Sequence, residues 1–176
     1  MGVAGVGEIT VRPLSSEGAT IARLTEILIA TVEAGGSVHF MHPTPPDQAA
    51  GYWTSALAHA DTGGRIMLGA FDGEVLVGTV TLYLDTPPNQ PFRAEIWKLM
   101  VDPGYRRRGI AQSLMRRAEQ LATERGRTLL NLDTAIEGGA ERLYEGLGWV
   151  RAGSIPGYAF TPYGERVGTA IYYKTL

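Results

Sequence analysis

Cysteine is absent from this chain of 176 residues. That absence removes disulfide staples, thiolate nucleophiles and Cys-ligated zinc or iron–sulfur centres together. Histidine is scarce. Of the three present, His39 and His42 lie three apart with no acidic third ligand at a diagnostic spacing, so no metal is expected. No apolar run of about 18 residues is available to span a bilayer; Glu26 interrupts the most apolar helical stretch, Thr25–Val32. Neither sign of charge dominates, with sixteen Lys+Arg against eighteen Asp+Glu and a formal charge of −2. A dedicated DNA binder carries a clear positive excess, so no nucleic-acid partner is expected, although Arg106–Arg108, Arg116 and Arg117 would be its carriers. No signal-peptide pattern is visible, and Val6 stands where an acylation signal opening Met1-Gly2 needs Ser or Thr. A cytoplasmic protein without a membrane partner is expected.

What is present is the composition of a globular domain, 44% hydrophobic and 19% charged. A chain this long buries roughly 70% of its unfolded surface without staples. No repeat, low-complexity tract or long linker divides it, so residues 1–176 are read as one domain.

Alternation in Glu8–Arg12 predicts a strand stopped by Pro13, and Ile21, Leu24, Ile27, Leu28 and Val32 recur at helical spacing to a stop at Gly35-Gly36. Asp47 is placed to N-cap a second helix reaching Ala60, with Trp53 and Leu57 inward. Arg65–Phe71 and Val75–Leu84 flank Asp72-Gly73, a pair suited to a type I′ hairpin turn. Arg93–Val101 reads as a long strand, on which alternation puts Glu95, Trp97, Leu99 and Val101 opposite Ile96, Lys98 and Met100. Gly109–Arg125 is an amphipathic helix with Ile110, Leu114, Ala118, Leu121 and Ala122 inward. Thr128–Asp133 is a strand, Gly139–Gly146 a short helix, Trp149–Val150 the start of another strand and Ala170–Lys174 the last. The order β-α-α-β-β-β-α-β-α-β-β describes an α/β (α+β) domain, a mixed sheet with helices against it.

The junction from Lys98 through Asp102-Pro103-Gly104 to Arg106-Arg107-Arg108-Gly109-Ile110-Ala111 is the most informative stretch. Free N–H groups and the positive dipole end at a helix start bind anions, and three arginines suit a pyrophosphate. The bland alternative is solvated charge at a helix entry. No G-x-G-x-x-G or P-loop Lys-Ser/Thr is present.

Arg106-x-x-Gly109-x-Ala111 resembles the [Q/R]-x-x-G-x-[G/A] acyl-coenzyme-A motif of the GNAT superfamily of N-acetyltransferases. About thirty residues on, Ala140-Glu141-Arg142-Leu143-Tyr144-Glu145-Gly146-Leu147-Gly148-Trp149 is similar to that superfamily's A-x-x-[FL]-Y-x-x-x-G-[FW] segment. The blocks Thr31–Val38, Arg93–Glu95, Lys98–Val101, Leu132–Thr134, Pro156–Tyr158 and Thr169–Leu176 further resemble tabtoxin-resistance-type acetyltransferases. The resemblance implies a single-domain GNAT fold, with a mostly antiparallel sheet of about six or seven strands flanked by about four helices. It implies acetyl-CoA as donor, transfer within a ternary complex and a small amine acceptor, amino-acid-like or an antibiotic. A silent acyl-CoA-binding sensor and a protein amine are the alternatives, and either a monomer or a homodimer is compatible.

The resemblance also assigns roles. Leu99, Met100 and Val101 would align the pantetheine arm, with the Leu99 N–H on the thioester carbonyl. Arg106, Arg107, Arg108, Gly109, Ile110 and Ala111 would hold the pyrophosphate. Glu95 would accept the amine proton, or it is a strand carboxylate paired with Arg93 or Lys98. Asp133, at a strand's end, faces a ligand or caps the next turn. Tyr144 would donate a proton to the departing thiolate, or it packs in the core. Ser37, His39, Phe40 and Trp97 would line the acceptor pocket. One departure stands out: Glu137 occupies the position, seven before the motif tyrosine, where many members carry a pantetheine-contacting asparagine.

Overall fold

A computed structural model describes residues 8–136 and 138–176; the readings at Met1–Val6 and Glu137 lie outside the described residues. The seven strands are β1 (Ile9–Pro13), β2 (Arg65–Asp72), β3 (Val75–Tyr83), β4 (Arg93–Val101), β5 (Leu129–Ala135), β6 (Val150–Phe160) and β7 (Arg166–Thr175). They form one sheet in the order β1-β2-β3-β4-β5-β7-β6. Every neighbour pair is antiparallel except β4 and β5. Helices α1 (Gly18–Glu33) and α2 (Pro46–Asp61) follow β1; α3 (Ile110–Glu124) is the crossover between the parallel pair, and α4 (Glu141–Gly146) follows β5.

The helices cover both sheet faces. Leu24, Ile27, Leu28 and Val32 of α1 pack with Trp53 and Leu57 of α2 onto Met67, Leu76 and Met100. On the other face Ile110, Leu114, Met115 and Ala118 of α3 meet Leu68, Val80, Leu82, Ala94 and Ile96. Full burial of each such side chain stabilises by about 1.5–3 kcal/mol before the entropy of ordering it. Gly35, at φ 84°, ends α1 while its N–H and that of Gly36 donate to the carbonyls of Val32 and Thr31.

Local details depart from the sequence reading. The β2–β3 turn is centred on Gly73 and Glu74, because Asp72 still pairs with Val75. Only Gly73 has positive φ (60°), the type II′ pattern with glycine first rather than type I′. Helix α2 starts at Pro46 after Pro45 with no side-chain cap, and Asp47 sits in the first turn near the positive dipole end. Strand β6 runs to Phe160, far past Trp149–Val150, and almost all of it is exposed, so no apolar alternation announces it. Between its pairs Ile155↔Thr169 and Ala159↔Val167 it carries extra residues, with Gly157 at φ 58°.

The consequential departure is in β4. Thr79 pairs with Met100 and Thr81 with Trp97, so Lys98 and Leu99 together oppose Val80. This is a β-bulge, with Lys98 at φ 51°. Alternation breaks there. Leu99 and Val101 join Ala94 and Ile96 on the α3 face, while Met100 turns to the α1–α2 core. The predicted common face of Glu95, Trp97, Leu99 and Val101 is therefore wrong, since one extra residue inverts every side chain after it.

Candidate active site

Strands β4 and β5 pair only from Arg93↔Leu129 to Glu95↔Asn131 and then diverge. Beyond Glu95, β4 has no partner on its β5 side, so the splayed ends open a cleft of about 1320 Å³. That exceeds the roughly 300–1,000 Å³ of a usual small-molecule pocket, leaving room for an extended ligand and a second one. Its walls include Leu99–Val101, Asp133–Ile136 and Tyr144, its ends Arg106, Arg107, Gly109–Gln112 and Ser37–His39.

One end is built for an anion. Asp102 accepts from the Gly104 N–H and, with Pro103, starts a 3-10 turn into the arginine run. Gly109 holds the left-handed N-cap position of α3 (φ 76°) and no side chain caps that helix. The N–H groups of Ile110, Ala111 and Gln112 thus lack intrahelical acceptors. A Cβ at Gly109 would meet nothing within 4 Å, so space for a ligand stands over it. Arg106, Arg107, Gly109, Ile110 and Ala111 line the cleft; the Arg108 side chain does not, lying 3.7 Å from Asp72 and over the Tyr105 ring. This donor set, followed by the open edge of β4, fits a pyrophosphate with an amide-bearing arm.

In the middle stand the proton-handling candidates. Glu95 lines the cleft with both oxygens engaged, Oε1 by Arg93 and Oε2 by the Trp97 indole N–H (2.8 Å). Arg93 also donates to Asn131 Oδ1 (2.6 Å). Trp97 stacks on Tyr83 with ring centroids 4.5 Å apart. Asp133 Oδ2 accepts from the Thr169 hydroxyl across β7 (3.0 Å), and among the described residues Oδ1 has no partner. The Tyr144 ring is 6% exposed against Trp149 and Tyr172, so it packs in the core and still reaches the cleft. Burial, aided by the Asp133 charge, pushes its phenol up to about 12, with Thr134 acting the other way.

Lys98 was not legible as a site residue. The bulge carries it into the cleft, where its Nζ lies 2.9 Å from His39 Nδ1 and 5.2 Å from the centre of the Tyr52 ring. Burial pushes Lys98 down to about 8, opposed by Asp133. Burial, then Lys98, pushes His39 down, again opposed by Asp133. Ser37, His39 and Trp97 line the cleft; Phe40 does not, packing edge-on against Tyr52 behind Lys98. Tyr158, Thr161, Glu165 and Arg166 from β6, β7 and their turn line it too and were also missed. Among the described residues no cluster of three or more His, Asp or Glu could hold a metal ion.

Beside the Ser37–His39 end of the cleft, the β6–β7 turn is tied to the helical part of the chain. The Tyr163 hydroxyl donates to the Glu33 carbonyl (2.7 Å), the His42 N–H donates to Pro162 O (2.9 Å), and the His42 and Tyr163 rings lie 4.9 Å apart. The β6–β7 turn is thereby docked on the segment between α1 and α2.

A model of the acetyltransferase (GNAT) family matches residues 25–149. Human N-acetyltransferase 8 is 37% identical over 82 residues, 46% of this chain and 36% of that protein. Matches to such curated relatives cover 36–42% of their length. Among solved structures, the yncA protein of Salmonella typhimurium, determined with acetyl-CoA, superposes with a TM-score of 0.78 at 16% identity over 96% of this chain and 94% of its own. A ribosomal-protein-alanine N-acetyltransferase from Brucella melitensis gives 0.80 at 17% identity over 95% and 99%. At these identities the likeness is one of fold.

Proposed function

The chain belongs to the acetyltransferase (GNAT) family, and we propose that it transfers an acetyl group from acetyl-CoA to the amine of a small molecule. Acetyl-CoA, when bound, supplies the acetyl group as an activated thioester. The α3 N-terminus with Arg106 and Arg107 holds the pyrophosphate, and the open edge of β4 takes the amides of the arm. The Leu99 N–H, on the bulged stretch of β4 that lines the cleft, donates to the thioester carbonyl oxygen. Asp133, whose Oδ1 is free among the described residues, takes the proton of the acceptor ammonium, with Glu95 acting through water beside it. A C–N bond forms and the C–S bond breaks; the Tyr144 hydroxyl gives its proton to the departing sulfur and recovers one from the amine nitrogen, which loses its cationic charge as it becomes the amide. Burial keeps that phenol protonated and therefore able to donate.

The observation that supports a small acceptor is the docked β6–β7 turn. Residues on both sides of the Tyr163–Glu33 contact line the cleft, so the docked turn narrows that end against a polypeptide. The blocks resembling tabtoxin-resistance-type enzymes support an amino-acid-like acceptor. Thiol release from acetyl-CoA, measured against panels of small amines and of peptides, tests the proposal. Release with small amines and none with peptides is expected; efficient peptide acetylation would overturn it.

A further inference from the structure

The acceptor end of the cleft contains one cation that does not behave like a surface charge. The other cleft-lining cations, Arg106, Arg107, Arg142 and Arg166, are exposed, whereas Lys98 is half-buried. Its position costs something to hold. A left-handed φ in a residue with a Cβ is unfavourable by about 1–2 kcal/mol, and the ammonium is partly withdrawn from water.

Three features keep it there. The side chain runs over the faces of Tyr52 and Phe40, at 5.2 and 5.9 Å from the ring centres, within cation–π range. Its Nζ donates to His39 Nδ1, which puts the imidazole proton on Nε2. Asp133, on the opposite strand of the splay, opposes the effect of burial on both Lys98 and His39. Yet among the described residues no carboxylate lies within ion-pair distance of Lys98 and no second acceptor meets its Nζ. Two of its three N–H donors are left for whatever occupies the cleft.

Asp133 is the counterpart. It stands on β5 with an oxygen free, beside Tyr144, where the amine must react under the reading proposed above. A cation on β4 and an anion on β5, across one cleft, are complementary to a zwitterion. We infer that Lys98 selects the acceptor: it binds a carboxylate carried by the amine substrate, while Asp133 receives the ammonium, so the acceptor class is amino acids rather than simple amines. His39 and the two aromatic faces position Lys98 for this task. The inference rests on the acetyl-transfer reading but makes a separate claim, about acceptor charge.

The test compares α- and ω-amino acids with their own carboxamides, using acetyl-CoA and wild type, Lys98→Met and Lys98→Arg. The effect is read in KM, because acid and amide differ in amine basicity and hence in kcat. Wild type should favour the acid by about 10–100-fold, the range one charge-assisted hydrogen bond supplies. Lys98→Met should bring the acid-to-amide ratio near one, and Lys98→Arg should keep most of it. A wild-type enzyme indifferent to the carboxylate overturns the inference, and needs no variant to fold. So does a Lys98→Met loss of equal size in kcat for acid and amide, which would make Lys98 a proton carrier. If no amine at all releases thiol, the acetyl-transfer reading fails. The charge claim is then decided by calorimetry of N-acetyl amino acids against N-acetyl amino amides in the presence of CoA. Weaker binding of the acids to Lys98→Met than to wild type supports it; identical binding sinks it.

Discussion

Tyr144 shows how one residue serves two ends. Its ring belongs to the core with Trp149 and Tyr172, and its hydroxyl opens on the cleft. Tyr144→Phe keeps the packing, so it should lower kcat by about 10²–10⁴-fold, the contribution of one positioned acid, with acetyl-CoA affinity unchanged by calorimetry. Because burial and Asp133 push the phenol up to about 12, it stays protonated across the working pH range. The alkaline limb of the pH–rate profile should therefore keep its shape in Tyr144→Phe; its disappearance would mean that the phenol titrates there. Lys98 makes the opposite kind of prediction. Its ammonium, facing His39, Tyr52 and Asp133, is present below about pH 8 and lost above it. The wild-type to Lys98→Met ratio of kcat/KM for an amino-acid acceptor should fall toward one as the pH rises through that value. A flat ratio from pH 6.5 to 9.5, bounds set at about 1.5 units around it, would contradict it.

At the scale of elements, strand β4 and helix α3 divide the work. The bulge at Lys98 and Leu99 turns a lysine into the cleft, while the helix start offers uncapped N–H groups. Gly109→Asp separates ligand from fold. A side chain there meets no protein atom, and Asp tolerates the left-handed region and caps helices well. The variant should melt within about 1–2 kcal/mol of wild type yet lose acetyl-CoA binding through bulk and negative charge. Retained affinity in a titration would remove the pyrophosphate assignment. Gly78 tests the packing behind the site. A Cβ there would come 2.9 Å from the Met100 carbonyl and 3.3 Å from the Ile110 and Leu114 side chains, so β3 and β4 must part locally while the two α3 side chains yield slightly. Gly78→Ala should cost about 1–3 kcal/mol in urea unfolding.

For the molecule as a whole, segments far apart in the chain meet beside the Ser37–His39 end of the cleft. Tyr163, in the last turn, bonds to Glu33 at the end of α1 and lies against His42. The double variant His42→Ala, Tyr163→Ala removes one hydrogen bond and one ring contact, about 1–3 kcal/mol together. The domain should stay folded with an opened mouth. KM for small acceptors should rise, while acetyl-CoA affinity, set at the other end of the cleft, should hold. Detection of acetylated peptides by mass spectrometry only in this variant would assign the docked turn its role in acceptor size; identical acceptor profiles would deny it.

Much of this was legible along the chain. The helical spacing of Ile110, Leu114 and Ala118, the alternation in β1 and the glycine after α1 carry their own geometry, because a helix or strand must bury a stripe or face whose period is written in neighbouring residues. The motif around Gly109 was legible for the same reason: a loop and a helix start are local. Nothing local announced β6, an exposed strand held mainly by pairing with β7, or the partnership of Tyr163 with Glu33. The bulge in β4 was equally hidden. A strand's register depends on its neighbours, and the pairing with β3, not the order of residues 93–101, sends Lys98 into the cleft and Leu99 to the opposite face. Glu95 and Asp133 could be named as carboxylates from the chain alone. That Arg93 and Trp97 occupy one while the other, among the described residues, keeps an oxygen free was decided by tertiary structure, since hydrogen-bond partners are chosen in space rather than in sequence.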